Sequence, residues 1–245
     1  MNSEVIVLDD WRTSFVQLET PKEIEAGKDP RFGTTFMADL KNEKNKPGVK
    51  ALLLQARKIA QEAFGVDSFA VRQKEFELGL TKKAPTGKDD VKFNCFFDGA
   101  ERKAKRPEWE NYWILTAHNT VKDYVKTAAN KSLSPAALAA AIARLEAQYR
   151  PAIANRQGVI IEPGDPQYPY SGCFVRGKVN LWTSEHEKGG RQIICSIRSM
   201  QFLRPGPAFG RAAIDPDKEF EKLEDDPEAE EAFDETAASE NWDLD

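Results

Sequence analysis

Alternating apolar and polar positions predict several half-buried strands in the first hundred residues. The pattern covers residues 15–18, 32–40 and 91–97. In the second segment the apolar-rich face consists of Phe32, Thr34, Phe36, Ala38 and Leu40. Successive side chains of a strand point to opposite sides, so we expect one face of each segment in the core and the other in solvent.

Two other segments place their apolar residues at helical spacing. The first follows Pro47, can end at Gly65, and has a stripe made of Val49, Leu52, Leu53, Ala56, Ile59 and Ala63. The second follows Ser134 and Pro135, which suit the N-cap and first-turn positions, and its stripe is Leu138, Ile142, Leu145 and Tyr149. Both segments are predicted to be amphipathic helices, the second within a helical insertion near residues 121–150.

Strands are predicted again in the second half of the chain, at residues 112–118, 159–162, 173–182 and 192–204. The last two are separated by a polar loop, 183–191, that contains Gly189 and Gly190, so they should form a long hairpin. Many short strands with only two helices indicate a mainly β protein with helical insertions, built as an antiparallel barrel or sandwich.

The amino-acid composition narrows the classes of protein to which this chain can belong. The 245 residues are 31% charged and 40% hydrophobic, enough for one sizeable core. No run approaches the roughly 18 apolar residues of a membrane span, and residues 1–10 lack a signal-peptide pattern, so we expect a cytoplasmic protein without a membrane partner. Cys95, Cys173 and Cys195 form no C-x-x-C pair, which predicts reduced core thiols and no metal site.

The net charge of −5 conceals two oppositely charged parts. Residues 214–245 contain 15 acidic residues and only two basic ones, Lys218 and Lys222, and therefore carry −13, which leaves +8 on the rest. Because like charges in a run repel one another, this segment should be a disordered acidic tail. We therefore expect a basic domain over residues 1–213 followed by the tail.

The predicted strand 173–182 has one face suited to a nucleic acid. Its two faces separate Cys173, Val175, Gly177, Val179 and Leu181 from Phe174, Arg176, Lys178, Asn180 and Trp182. Rings stack on bases of any identity and cations meet phosphates, so the second face favours a single-stranded ligand. On the partner strand, Arg198, Phe202 and Arg204 recur at even spacing, although Ile194 and Met200 share that face. The alternative is that the rings pack under a helix or loop and the cations are merely solvated.

A second basic cluster lies between Gly99 and Glu110. Its cations are Arg102, Lys103, Lys105 and Arg106, and they run directly into Trp109, Tyr112 and Trp113. A basic loop alone is usually only soluble surface. The adjoining aromatic residues favour a binding loop in which Lys103, Lys105, Arg106 and Trp109 contact the ligand.

Several motifs resemble one known family. They are the run YSGCFVR from Tyr170 to Arg176, NLW from Asn180 to Trp182, and QFLRPGPAFG from Gln201 to Gly210. Together with the FMADL strand at Phe36 and the helix at Pro47, they resemble the tailed-phage single-stranded DNA-binding proteins of the enterobacterial phage type. The resemblance covers most of residues 12–211, and the longer, Ala-rich insertion 121–150 departs from it.

The resemblance implies an OB-fold barrel that coats single-stranded DNA during phage replication or recombination in the cytoplasm of the infected bacterium. By position it points to Tyr170, Phe174, Arg176 and Trp182 as DNA contacts. It implies neither a cofactor nor catalysis.

The acidic tail is similar to those of bacterial and phage single-strand binders, which recruit phage or host replication and recombination proteins through a hydrophobic tip. The corresponding anchors here are Trp242 and Leu244, with Phe233 as another candidate. Such tails commonly end in Phe, whereas this chain ends in Asp245. The alternative is a purely solubilising tail.

Two rival functions share some of these features. A recombination annealing protein would have the same basic surface but would hold two strands. A metal-dependent nuclease could use Glu101 and Lys103 with Asp89, Asp90 or Asp98, although so short a match is common in a charge-rich chain. No P-loop, H-E-x-x-H motif or nucleophile elbow occurs, and the two histidines are His118 and His186.

Overall fold

The computed structural model describes residues 4–65, 70–72, 91–186 and 190–209. Within them the strands are β1 (Ile6–Lys22), β2 (Arg31–Ala38), β3 (Ala70–Arg72), β4 (Lys92–Asp98), β5 (Trp113–Thr120), β6 (Ala152–Ala154), β7 (Phe174–His186) and β8 (Gly190–Arg204). The α-helices are α1 (Lys46–Phe64), α2 (Tyr124–Ala128) and α3 (Pro135–Tyr149). The chain divides into two units, residues 1–210 and 211–245, and the predicted tail, 214–245, lies outside the described residues.

The strands form one sheet that closes on itself. Their order is β3-β4-β5-β2-β1-β7-β8-β6, and an additional pairing joins β4 to β8 at Lys92 and Gln192. Strand β1 pairs antiparallel with both β2 and β7, and β7 forms the predicted long hairpin with β8. The predicted loop 183–191 is too long, because the pairing continues to His186 and Gly190. The Asn119 side chain reinforces the closure, because its amide donates to the Ile197 carbonyl at 2.8 Å and accepts from the Ile197 N–H at 3.0 Å. The predicted mainly β barrel is confirmed. Most of its strand pairings are antiparallel, and the β3–β4, β4–β8 and β6–β8 pairings are parallel.

Strand β1 is much longer than the predicted segment 15–18. Its pairing contains irregularities between Leu8 and Trp11 and between Ser14 and Gln17, and both Asp10 and Phe15 have positive φ angles, 57° and 50°. Each bulge reverses which face the following residues occupy. The simple alternation is therefore lost over the first half of the strand, and the sequence pattern did not reveal it.

Helix α1 packs its apolar stripe into the barrel core. Val49, Leu52, Ala56 and Ile59 are buried together with residues such as Trp11 and Phe36 from the barrel, as predicted. The helix ends at Gly65, which adopts the left-handed conformation with φ of 66°. Fully burying a side chain such as Leu52 stabilises the fold by about 2 kcal/mol relative to leaving it exposed.

The predicted insertion contains α2 and α3 and lies on the surface. The Ser134 hydroxyl accepts a hydrogen bond from the Ala137 N–H at 3.3 Å and caps α3, which begins at Pro135. Throughout α3 no residue is buried, and its stripe of Leu138, Ile142, Leu145 and Tyr149 is only half-buried.

The residues that follow α3 differ from the prediction. The predicted strand 159–162 forms only an isolated bridge, Ala154 to Ile160, whereas 152–154 forms the short strand β6.

The cysteines are free, with Cys173 and Cys195 buried and Cys95 half-buried. Desolvation raises the pKa of the Cys95 thiol to about 12 and that of Cys195 well above its usual value. These thiols are therefore protonated packing groups at neutral pH. Among the described residues no helix is long and apolar enough to cross a membrane.

Candidate nucleic-acid interface

The outward side of β7 presents the row of residues singled out from the sequence. Its inward positions, including Val175, Val179 and Leu181, are buried in the barrel. The outward positions form what we call the β7 face: Phe174, Arg176, Lys178, Asn180 and Trp182. Arg176, Lys178 and Trp182 are exposed, and the Trp182 side chain retains 44% of its accessible surface. Two cations and one ring are therefore available to a ligand along this strand.

Strand β1 supplies the neighbours of this row. Asp9 accepts a hydrogen bond from the Arg176 Nε at 2.8 Å, and the ion pair is partly exposed on both sides. Val7 lies opposite Lys178, which forms no ion pair with any residue that the structure describes. An exposed pair contributes at most about 1 kcal/mol, so Arg176 can exchange Asp9 for a phosphate at small cost.

Strand β8 offers fewer of its predicted residues to a ligand. Arg198 is exposed, but Phe202 is only 7% exposed and packs in the core with Met200. The register between β7 and β8 shifts at Phe174/Val175 and at Lys178/Val179, so even spacing along β8 does not keep residues on one face. Phe202 was predicted to contact DNA, and this prediction is corrected, because a buried ring has no face free for a base.

Phe174 and Arg204 form a cation–π contact. The Arg204 guanidinium carbon lies 3.4 Å from the centre of the Phe174 ring, and Asp10 accepts hydrogen bonds from Arg204 Nε and Nη2 at 3.2 and 3.1 Å. Asp10 is only 8% exposed, so this carboxylate holds the guanidinium firmly in place. One side of the predicted stacking ring is thus covered by a neighbouring side chain, and DNA contact by these two residues stays a prediction.

Tyr170 holds residues 205–209, the C-terminal arm, against the barrel. Its hydroxyl donates to the Gly206 carbonyl at 2.9 Å and accepts from the Gly206 N–H at 3.1 Å. Farther along the arm, the Arg12 guanidinium lies 4.0 Å from the Phe209 ring centre and donates to the Pro207 carbonyl at 2.7 Å. The half-buried Tyr170 side chain therefore has a structural partner, and DNA contact by its ring stays a prediction.

The basic loop between Gly99 and Glu110 has a regular, compact structure. Two short 3₁₀ helices, Gly99–Arg102 and Pro107–Trp109, are closed by a hydrogen bond from the Gly99 N–H to the Tyr112 carbonyl. A Cβ at Gly99 would lie 2.0 Å from the Trp109 carbonyl oxygen, so only glycine allows this approach. Lys103, Lys105 and Arg106 are exposed, and Lys103 pairs with Glu110 at 3.1 Å.

Trp109 does not lie on the surface with those cations. It is 4% exposed and packs with Met37, Phe97 and Ile114 in a small core cluster. The prediction that Trp109 contacts DNA is therefore corrected: the ring is structural. The loop sequence could not predict that Trp109 is buried, because its packing partners Met37 and Ile114 belong to β2 and β5.

Phe15 is an exposed aromatic residue beside the basic loop that the sequence pattern did not mark as a site residue. Its ring is 45% exposed, its φ is 50°, and its edge contact with Trp109 has ring centres 5.8 Å apart at 83°. The guanidinium of Arg106 lies over the ring, 4.2 Å from its centre. The sequence showed Phe15 only as part of a predicted strand, because nothing local marks the bulge that turns it outward.

No group of three or more His, Cys, Asp or Glu side chains within the described ranges could hold a metal ion. Glu101 and Asp98 of the nuclease hypothesis lie in the first 3₁₀ helix and at its N-cap, where Asp98 accepts a hydrogen bond from the Ala100 N–H at 2.9 Å. Asp89 and Asp90 are outside the described residues. The candidate site therefore consists of basic and aromatic side chains on the surface of the barrel.

Comparison with solved structures defines the class of the fold. The chain is similar to the single-stranded DNA-binding protein of bacteriophage Enc34 in complex with ssDNA, with TM-score 0.55, 18% identity, and coverage of 84% of this chain and 89% of that one. A C-terminal truncation of the same phage protein gives TM-score 0.53 and 16% identity over 84% and 88% of the two chains. The fold is therefore the expected OB-fold.

A family model gives the more specific assignment. The model described as "Enterobacter phage Enc34, ssDNA-binding protein" matches residues 4–233, so the chain belongs to that family, and the expected relationship is confirmed. The chain is also 31% identical over 74 residues to putative protein p50 of Acyrthosiphon pisum secondary endosymbiont phage 1. That match spans 30% of this chain and 39% of the length of p50.

Proposed function

We propose that this protein binds single-stranded DNA without sequence preference and coats it during phage DNA replication or recombination. The observation that carries the proposal is the exposed row of Arg176, Lys178 and Trp182 on an OB-fold barrel, in a chain that belongs to a phage ssDNA-binding family. Exposed Arg198 on β8 and Lys105 in the basic loop add positive charge to the surface.

The chemistry of this surface fits a ligand whose bases are not paired. The Trp182 ring can stack on any base, and stacking contributes roughly 1 to 3 kcal/mol per base. Lys178 and Arg176 can meet phosphates, which are common to every sequence. Binding of this kind requires no catalytic group, and this favours coating of the strand over its cleavage.

A gel-shift titration of single-stranded and duplex oligonucleotides of the same sequence, at two salt concentrations, tests the proposal. We expect tight binding to the single strand, weaker binding to the duplex, and loss of affinity at higher salt. Equal affinity for both forms would overturn it. Including magnesium and an end-labelled strand tests the nuclease alternative, since shortening of the label would identify an enzyme.

An annealing assay separates coating from strand pairing. Two complementary labelled strands are mixed with the protein, and duplex formation is followed against time. Coating predicts that annealing is unchanged or slowed, because each strand is covered. Acceleration would identify the protein as an annealing protein, the remaining alternative.

We propose further that the acidic tail has two roles in the cytoplasm of the infected bacterial cell. Its charge of −13 against +8 on the rest of the chain favours competition with DNA for the basic surface. Its apolar residues, Phe233, Trp242 and Leu244, would recruit phage or host replication and recombination proteins. Tethering raises the effective concentration of the tail to roughly millimolar, so weak contacts suffice for competition.

A further inference from the structure

We propose that Phe15 is a base-stacking platform of its own, set in a groove beside β1, and that Arg106 covers it in the free protein and moves to a phosphate when a base binds. This inference rests on the proposed binding of single-stranded DNA. The proposed Phe15 site lies outside the β7 face. The exposure of Phe15 could not be predicted from the sequence and is seen only in the folded chain.

The backbone at Phe15 is strained and its ring is left in solvent. A non-glycine residue in the left-handed region costs about 1 kcal/mol, and Phe15 has φ of 50°. A ring that is 45% exposed recovers only part of the free energy that burial would provide. Strain combined with an exposed aromatic side chain is typical of a ligand-contact position.

The ring is nevertheless held in place from beneath. Trp109 meets it edge to face, and the Trp109 indole N–H donates to the hydroxyl of Ser14, the residue before Phe15, at 3.4 Å. Ser14 is 1% exposed and Trp109 is 4% exposed, so the support is part of the core. A platform fixed in this way loses little conformational entropy when a base stacks on it.

Arg106 differs from Arg204, one of the other arginines that lie over a phenylalanine ring, in how it is anchored. Both guanidinium groups lie over a phenylalanine ring, at 4.2 and 3.4 Å from its centre. Arg204 is fixed by the nearly buried carboxylate of Asp10, whereas Arg106 is exposed and forms no ion pair with a carboxylate in the described ranges. Among the residues that the structure describes, the contact of the Arg106 guanidinium with the Phe15 ring is the cation–π interaction, worth about 0.5 to 1 kcal/mol at an exposed site. A phosphate can therefore draw it away.

The adjoining space is large enough for a nucleotide. Phe15 helps to form the wall of a groove of about 560 Å³, which we call the β1 groove. Its other walls include Gln17, Lys22, Tyr168, Tyr170 and Ser171. This volume lies within the range of roughly 300 to 1,000 Å³ that is usual for small-ligand sites.

The chemistry of the β1 groove favours a base with its phosphate over a purely apolar occupant. Rings from Phe15, Tyr168 and Tyr170 offer stacking surface, and Gln17 offers a hydrogen-bonding amide. In the wall, the charge of Lys22 offsets the carboxylate of Glu19. The further positive charge that a phosphate can meet is Arg106, which lies over the Phe15 ring. We therefore assign this groove to an unstacked nucleotide of the bound single strand.

The test compares Phe15→Leu, which removes the ring, with Phe15→Tyr, which keeps it. Affinity for a labelled oligothymidine is measured at moderate salt, and thermal melting confirms that each variant is folded. We expect Phe15→Leu to bind about 5- to 100-fold more weakly and Phe15→Tyr to bind like the unmodified protein. Arg106→Gln should reduce the dependence of log affinity on log salt by about 0.7.

A second measurement uses the unmodified protein and does not depend on folded variants. An oligonucleotide containing 5-bromouracil is photocrosslinked to the protein, and the attached peptides are identified by mass spectrometry. Crosslinks to Phe15 or to Tyr168 and Tyr170 are expected. Crosslinks confined to the β7 face, with unchanged affinity in Phe15→Leu, would overturn the inference and leave the proposed function standing. Failure of the unmodified protein to bind single strands would overturn both.

Discussion

The indole N–H of Trp109 donates a hydrogen bond to the buried Ser14 hydroxyl at 3.4 Å, which joins the basic loop to the bulge in β1. The two residues are 95 positions apart in the chain. The Phe15 ring next to Ser14 meets Trp109 edge to face, and the Arg106 guanidinium lies over the same ring. The basic loop therefore contacts β1 in two ways. Its buried Trp109 packs against Phe15, and its exposed Arg106 lies over the Phe15 ring.

The β7 face is tested first by Trp182→Ala. Because Trp182 is half-exposed, truncation should leave folding intact and weaken single-strand binding by about 1 to 3 kcal/mol if the ring stacks on a base. Fluorescence titration with a labelled oligonucleotide measures the change. Leu54→Ala is the matched control, since Leu54 is 58% exposed on α1 and should have no effect. A drop in melting temperature with unchanged affinity would show that Trp182 is structural.

Electrostatic contacts are tested by opposite changes at Lys178 and Asp9. Lys178→Ala should make the slope of log affinity against log salt shallower by about 0.7. Asp9→Asn should strengthen binding at low salt, because it frees Arg176 from its ion pair. Titrations at four salt concentrations give both slopes, with Glu62→Gln on α1 as the control for net charge. Identical slopes in all variants would place the phosphate contacts elsewhere.

Tyr170→Phe separates the two roles considered for that residue. Loss of the hydroxyl removes both hydrogen bonds to Gly206 and should lower the free energy of unfolding by about 1 to 2 kcal/mol. If the ring stacks on DNA, affinity should not change, since the ring is retained. Urea unfolding and oligonucleotide titration measure the two quantities. Weakened binding with unchanged stability would indicate that the hydroxyl itself contacts DNA.

His118 should make the fold sensitive to mild acid. Burial, followed by the positive charge of Arg31, lowers the pKa of His118 to about 4 from an ordinary value near 6.5. The unfolded chain therefore binds one more proton between these values, so stability falls as the pH drops from about 6.5 to 4. The loss should reach about 2 kcal/mol at pH 5.

The measurement is urea unfolding of the unmodified protein and of His118→Gln at several pH values. The variant should lose less stability than the unmodified protein between pH 6.5 and 5, because it lacks the imidazole that takes up a proton on unfolding. Parallel curves for the two proteins would assign the acid sensitivity to other groups.

The tail is tested by deleting residues 215–245. If it competes with DNA, deletion should raise single-strand affinity, most strongly at low salt where screening is weakest. Replacing only Trp242 and Leu244 with alanine should abolish capture of a replication protein without raising DNA affinity. Titration and co-precipitation measure the two effects. Equal affinities of full-length and truncated protein at both salts would show that the tail does not compete.

Local patterns in the sequence were sufficient for much of the fold. Helix α1 with its Gly65 cap, helix α3 with its Ser134 cap, and the β7–β8 hairpin all follow from periodicity and end signals that lie within each segment. Most of strand β1 was not predicted, because its register shifts break the alternation on which a strand prediction depends. The β4–β8 closure joins segments about a hundred residues apart, and no local signal records such a pairing.

At the candidate site, the sequence was sufficient to predict that Arg176, Lys178 and Trp182 share one face, because a regular strand alternates with a period of two. It also determined the opposite charges of the basic domain and the acidic segment. The burial of Phe202 and Trp109, and the exposure of Phe15 with Arg106 over its ring, became visible in the folded chain. The physical reason is that burial depends on what packs against a residue from distant strands, and a single bulge reverses the side to which the next side chain points.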